Sequence, residues 1–72
     1  MNNLNVAKIQ LNGDPYEIIR GSNLTELLNL LKITENKVAI EVNGQIIEKN
    51  KYPNLILSKG DKVEIVKFIG GG

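Results

Sequence analysis

Lys62-Val63-Glu64-Ile65-Val66-Lys67-Phe68-Ile69-Gly70-Gly71-Gly72 ends the sequence and decides how the rest is read. The valines and isoleucines of its first half suit a strand that is at least half buried. Three glycines follow. A strand held in a core is a rigid base, and glycines add a tail without side chains. At about 3.3–3.6 Å per residue, that tail reaches roughly 10 Å past the last anchored position. Along the strand, Val63 and Ile65 fall on one face, Val66 and Phe68 on the other. Apolar residues on both faces imply either a strand covered on both sides or a bulge near Val66. The preferred reading is a central strand whose far end is a binding patch, covered by a partner or exposed.

Working back from this strand, Ser58-Lys59-Gly60-Asp61 is the turn that launches it, and Leu55-Ile56-Leu57 is a short apolar segment. Residues 49–54 are irregular, because Pro53 rules out a regular central strand there. Val38-Ala39-Ile40-Glu41-Val42 alternates, with Val38, Ile40 and Val42 inward and Glu41 outward. Asn43-Gly44 then signals a hairpin into Ile46-Ile47-Glu48, since both turn residues tolerate positive φ. Residues 33–37 form a polar connection.

Before that connection, Leu24, Leu27, Leu28 and Leu31 stand at i, i+3, i+4 and i+7, the apolar stripe of a helix about ten residues long. Leu30 falls off the stripe and is expected to be partly exposed. Asn23 and Glu26 have the spacing of a capping box at the helix start. Gly21-Ser22 breaks the strand at 16–20. That strand pairs with a first strand at 6–11 through the turn Asn12-Gly13-Asp14-Pro15, with Ala7, Ile9 and Leu11 on one face. Residues 1–5 are expected to be a loose N-terminal extension.

The order of elements is strand, strand, helix, strand, strand, short irregular segment, strand. One helix laid across a mixed sheet of about five strands buries a single leucine stripe, and the helical crossover allows the change of strand direction. The expected class is α+β, with the β-grasp or ubiquitin-like arrangement, as a single domain over residues 1–72. Residues 69–72 are expected to be its flexible tail.

The 72 residues contain no His and no Cys, so there is no disulfide or thiolate metal site, a zinc or haem site is improbable, and few of the usual catalytic groups are available. A formal net charge of +1, with scattered lysines, argues against binding nucleic acid by bulk electrostatics. No run approaches the length of about 18 apolar residues that suggests a membrane span. Met1-Asn2-Asn3 lacks the basic and apolar regions of a signal peptide. The expectation is a cytoplasmic protein, monomeric when free, that binds no cofactor.

Three stretches resemble the small sulfur carrier proteins of thiamine biosynthesis. They are Ile9-Gln10-Leu11-Asn12-Gly13; Leu24-Thr25-Glu26-Leu27-Leu28 with Val38-Ala39-Ile40-Glu41-Val42-Asn43-Gly44; and the closing stretch from Gly60-Asp61 to Gly72. The last is the most specific, joining a Gly-Asp turn, a Val/Ile strand, an aromatic residue and a terminal Gly-Gly. The resemblance implies a protein cosubstrate rather than an enzyme. An adenylating enzyme related to ubiquitin-activating enzymes would join AMP, from ATP with Mg²⁺, to the carboxylate of Gly72. Sulfur from a sulfur-donating enzyme would displace AMP and leave a thiocarboxylate. Thiazole synthase would take that sulfur into the thiazole ring. Gly71 would complete the terminal pair, and Gly70 is a third glycine many relatives share.

The residues support this chemistry apart from the family. An ionised terminal carboxylate acylates poorly until it gains a leaving group, and glycine has no Cβ to obstruct attack at the carbonyl or entry into a narrow channel. A glycine-rich end alone also fits a frayed terminus; following a β-grasp strand, it fits a carrier tail better. Val66, Phe68 and Ile69 are the candidate partner-binding residues. Two alternatives stay open. One is the small subunit of molybdopterin synthase, whose tail often carries a proline that Val66-Lys67-Phe68-Ile69 lacks. The other is a ubiquitin-like modifier or interaction module.

Overall fold

The computed structural model describes residues 5–68. The chain runs through β1 (Val6–Leu11), β2 (Asp14–Ile19), α1 (Leu24–Leu31), β3 (Val38–Val42), β4 (Gln45–Ile46) and β5 (Lys62–Lys67). Short 3-10 turns lie at Glu35–Lys37 and Lys49–Asn54. The strands make one mixed sheet in the order β2-β1-β5-β3-β4. β5 is central, parallel to β1 and antiparallel to β3. This is the expected β-grasp arrangement.

Both hairpins close on two residues with positive φ, Asn12 (49°) with Gly13 (88°), and Asn43 (53°) with Gly44 (85°). These pairs carry the twist that a tight hairpin needs. Because Asn12-Gly13 completes its turn, β2 begins at Asp14, two residues before the expected start. Pro15 sits in the ladder opposite Gln10, tolerated because β2 is an edge strand. Asn5, the described residue of the expected N-terminal extension, is tied down, since the Arg20 N–H donates to its carbonyl at 2.7 Å.

The capping box of α1 is complete. The Glu26 N–H donates to Asn23 Oδ1 at 2.8 Å, and the Asn23 N–H donates to Glu26 Oε1 at 2.9 Å. The helix spans eight residues rather than about ten. It stops because Lys32 turns left-handed at φ 59°, and the Ile33 N–H reaches back to the Leu28 carbonyl at 2.9 Å. Leu24, Leu27 and Leu28 are buried and Leu31 packs beside them, while Leu30 is exposed as expected. Burial of one such leucine contributes about 1.5–3 kcal/mol.

Opposite the helix, the inward residues of the sheet are Ala7, Ile9, Ile18, Val38, Ile40, Val42, Val63 and Ile65. Tyr52 and Leu57 close the core from the long β4–β5 connection. Residues 49–54 are therefore not merely irregular. They form a 3-10 turn that carries one of the largest buried side chains. Beyond it, the Leu57 N–H donates to the Ser22 carbonyl at 2.8 Å, and the Leu24 N–H to the Leu55 carbonyl at 3.1 Å. The connection thus ties the start of α1 to the approach of β5. β4 is shorter than expected. Ile47 still donates its N–H to the Ile40 carbonyl at 2.9 Å and packs on the core, whereas Ile46 is exposed.

Candidate functional site

The site begins with what holds β5. Its inward residues, Val63 and Ile65, are 0% and 9% exposed. The register with β3 runs unbroken from Val42↔Val63 to Val38↔Lys67, so there is no bulge at Val66. The Phe68 N–H extends that ladder by donating to the Lys37 carbonyl at 2.9 Å. On the other side, pairing with β1 ends at Leu11↔Val63, because β1 turns away into its hairpin.

Both hairpin asparagines reach across to β5. Asn12 Oδ1 accepts the Ile65 N–H at 2.7 Å. Asn43 Oδ1 accepts the Lys62 N–H at 3.0 Å, and its Nδ2 donates to Asp61 Oδ1 at 3.0 Å. The second oxygen of Asp61 accepts the Ser58 N–H at 2.8 Å, which pins the turn before the strand. The Asn-Gly pairs read from sequence as turn residues are also clamps on the strand that leads to the glycines.

Of the residues expected at the site, two lie within the described part. Val66 is 60% exposed, on the face away from α1, and Phe68 is 58% exposed one residue beyond the strand. β5 is thus central but covered on one face only, and its outward end is exposed. Ile69, Gly70, Gly71 and Gly72 lie outside the described residues. One of the scattered lysines joins the site. Lys49 Nζ stands 5.6 Å from the centre of the Phe68 ring and donates a long, weak bond to the Val38 carbonyl at 3.5 Å. A cation at that distance over an aromatic face is attracted by its quadrupole. No periodicity could have found this pair, because the two residues belong to different elements.

Among the described residues, no group of three or more His, Cys, Asp and Glu could hold a metal ion, and no helix is long and apolar enough to cross a membrane. The described part therefore offers a rigid strand base, an exposed apolar end and a cation beside it.

The family model described as ThiS family matches residues 9–72. The chain belongs to the ThiS family. The match runs from Ile9 in β1 through Gly72, so it takes in both the base and the glycines. A crystal structure of a thiamine biosynthesis protein (ThiS) from Geobacter metallireducens superposes with a TM-score of 0.78 at 34% identity, covering 90% of this chain and 99% of that one. The sulfur carrier protein ThiS of Bacillus subtilis is 37% identical over 65 residues, 89% of this chain and 98% of that protein. A thiazole synthase of Magnetococcus marinus is 40% identical over 65 residues, which are 90% of this chain but 20% of that protein. This ThiS-family chain thus spans about a fifth of the length of that larger relative.

Proposed function

We propose that this chain is a sulfur carrier, a protein cosubstrate rather than an enzyme, with the carboxyl group of Gly72 as the carrying group. The observation that carries the reading is the match to the ThiS family through Gly72, on a strand anchored by Val63 and Ile65. A carboxylate oxygen attacks the α-phosphorus of ATP, with Mg²⁺, in an E1-like adenylating enzyme, and pyrophosphate leaves. Hydrosulfide, released by a sulfur-donating enzyme, then attacks the carbonyl carbon and gives up its proton. AMP departs with the oxygen that joined it to the acyl group, leaving a thiocarboxylate. Its sulfur is anionic and nucleophilic, as thiolates are.

Thiazole synthase is the acceptor this reading assigns, for construction of the thiamine thiazole. The Magnetococcus marinus thiazole synthase supports the assignment, because a segment related to this chain lies within that polypeptide. Val66, Phe68 and Ile69 act as the docking face beside the tail, and Gly70 and Gly71 thread the partner's channel. The reading places a free monomer in the cytoplasm, with ATP and Mg²⁺ held by the activating partner.

Intact-protein mass spectrometry tests this. Incubation with an E1-like adenylating enzyme, ATP, Mg²⁺ and a sulfide source should exchange one oxygen for sulfur at Gly72, and Gly72→Ala should suppress the exchange. A carboxylate unchanged under those conditions would rule the carrier reading out. An adduct on a lysine of another protein would favour a modifier instead.

A further inference from the structure

At the end of β5, beside Phe68, a cleft has Ile33, Val38 and Phe68 among its lining residues together with Lys32, Lys37 and Lys67. The three lysines come from separate elements: the C-cap of α1, the 3-10 turn Glu35–Lys37 and the last residue of β5. None of them is paired with a carboxylate among the described residues. Glu35 belongs to the same turn as Lys37 but does not line the cleft.

Like charges around one cleft repel, so this grouping does not favour folding. The negative end of the helix dipole favours a cation at Lys32, but it does not explain Lys37 or Lys67. Lys32 also holds φ 59°, where glycine is the usual choice and a side chain costs conformational energy.

We propose that Lys32, Lys37 and Lys67 form a cationic seat for an Asp/Glu-rich surface of the protein that receives the tail. The proposal rests on the carrier reading for the identity of that protein. The lysines flank apolar residues, which matches a protein interface of aliphatic contacts rimmed by carboxylates. A nucleic acid would call for a longer basic track than one small cleft on a chain of net charge +1. The seat lies at the end of β5, a few residues before Gly70 to Gly72 in the sequence, so it orients the partner close to the glycines. Its charge also steers the encounter, with a reach of about 10 Å at 0.1 M salt.

The test uses the full chain with Lys32→Glu, Lys37→Glu and Lys67→Glu, singly and together, each checked for folding by circular dichroism. Lys59→Glu, just before the opposite end of β5, is the net-charge control for each single variant. In ATP–pyrophosphate exchange by an E1-like adenylating enzyme, the triple variant should raise KM for the carrier about tenfold with kcat unchanged. Lys59→Glu should change KM less than about twofold. Added NaCl should raise KM for the wild type and lower it for the triple variant, whose glutamates repel the acidic surface until salt screens them. Independently, an octaglutamate peptide titrated into the labelled wild-type protein should shift the amide signals of Ile33, Lys37 and Lys67.

Equal KM for the triple variant and the control would overturn the proposal. So would peptide shifts that map elsewhere, or tighter binding of inorganic phosphate or an oligonucleotide at the same amides. If the wild type is not adenylated, the carrier reading fails, and the peptide titration still decides whether the seat binds acidic protein.

Discussion

The side-chain amide of Asn12 pairs with both backbone groups of Ile65, accepting its N–H at 2.7 Å and donating to its carbonyl at 3.3 Å, across 53 residues of sequence. β1 leaves the sheet at Leu11, which would strand these two groups of a central strand. The amide has the same donor and acceptor as a peptide unit, so it continues the ladder by one step. Asn12→Gly keeps the positive φ and removes the amide, and should destabilise by about 1–3 kcal/mol in urea unfolding. Asn12→Ala should cost about 1 kcal/mol more, because it adds strain at φ 49°. Hydrogen exchange at the Ile65 amide should accelerate in both. Unchanged protection at Ile65 would show that the bond contributes nothing to holding the strand.

Tyr52 is 1% exposed, and burial, reinforced by the Glu35 charge, pushes its phenol above its ordinary value of 10.0. The folded state therefore holds this proton more tightly than the unfolded state. The contribution to stability is fully present below the unfolded value and is lost as pH rises through the folded one. Wild-type stability should thus fall as pH climbs above about 10, and Tyr52→Phe should flatten that fall while keeping most of the stability at neutral pH. Tyr52→Ala should cost about 3–5 kcal/mol by emptying the core beneath α1. Denaturant midpoints measured at neutral and alkaline pH check all three outcomes.

Much of this architecture is local and therefore legible. The alternation of β3, the leucine stripe, the Asn23–Glu26 box and the two Asn-Gly turns each follow from residues within one turn or one strand of each other. Tyr52 was not legible, because a single apolar residue in a polar stretch has no period. The end of α1 was read late, because Lys32 takes the left-handed position without the usual glycine. At the site, alternation in β5 separated Val63 and Ile65 from Val66 and Phe68. It could not show Lys49 over the Phe68 ring, nor the amide of Asn12 on Ile65, nor three lysines from three elements around one cleft. Those are products of topology, which brings distant segments together after the local patterns have formed.

Glu41 and Glu64 stand directly opposite each other across the β3–β5 ladder, and Glu41 also faces the exposed Ile46 on β4. Like charges at directly opposed sheet positions are destabilising by a fraction of a kcal/mol. Glu64→Gln should therefore stabilise the fold by about 0.2–0.5 kcal/mol, and Glu64→Lys by up to about 1 kcal/mol, by making an opposite-charge pair. Both gains should shrink in about 1 M NaCl, where the screening length is about 3 Å. Urea unfolding at low and high salt measures this, and a gain that persists in salt would point to a cause other than charge.

Lys32 sets stability against docking at a single position. Its backbone is left-handed at φ 59°, and its N–H bonds back to the last turn of α1. Glycine adopts that conformation without the Cβ penalty, although it gives back some of the gain through a freer unfolded chain. Lys32→Gly should therefore stabilise the domain by about 0.5–1 kcal/mol. It also removes one charge from the seat beside Phe68, so the same variant should raise KM for the carrier with kcat unchanged. Lys32→Asn separates the two effects further, since asparagine tolerates the left-handed conformation and carries no charge. It should match Lys32→Gly in KM while gaining less stability. If both variants are more stable and KM stays at the wild-type value, the left-handed lysine serves neither docking nor folding, and the cationic seat reduces to Lys37 and Lys67.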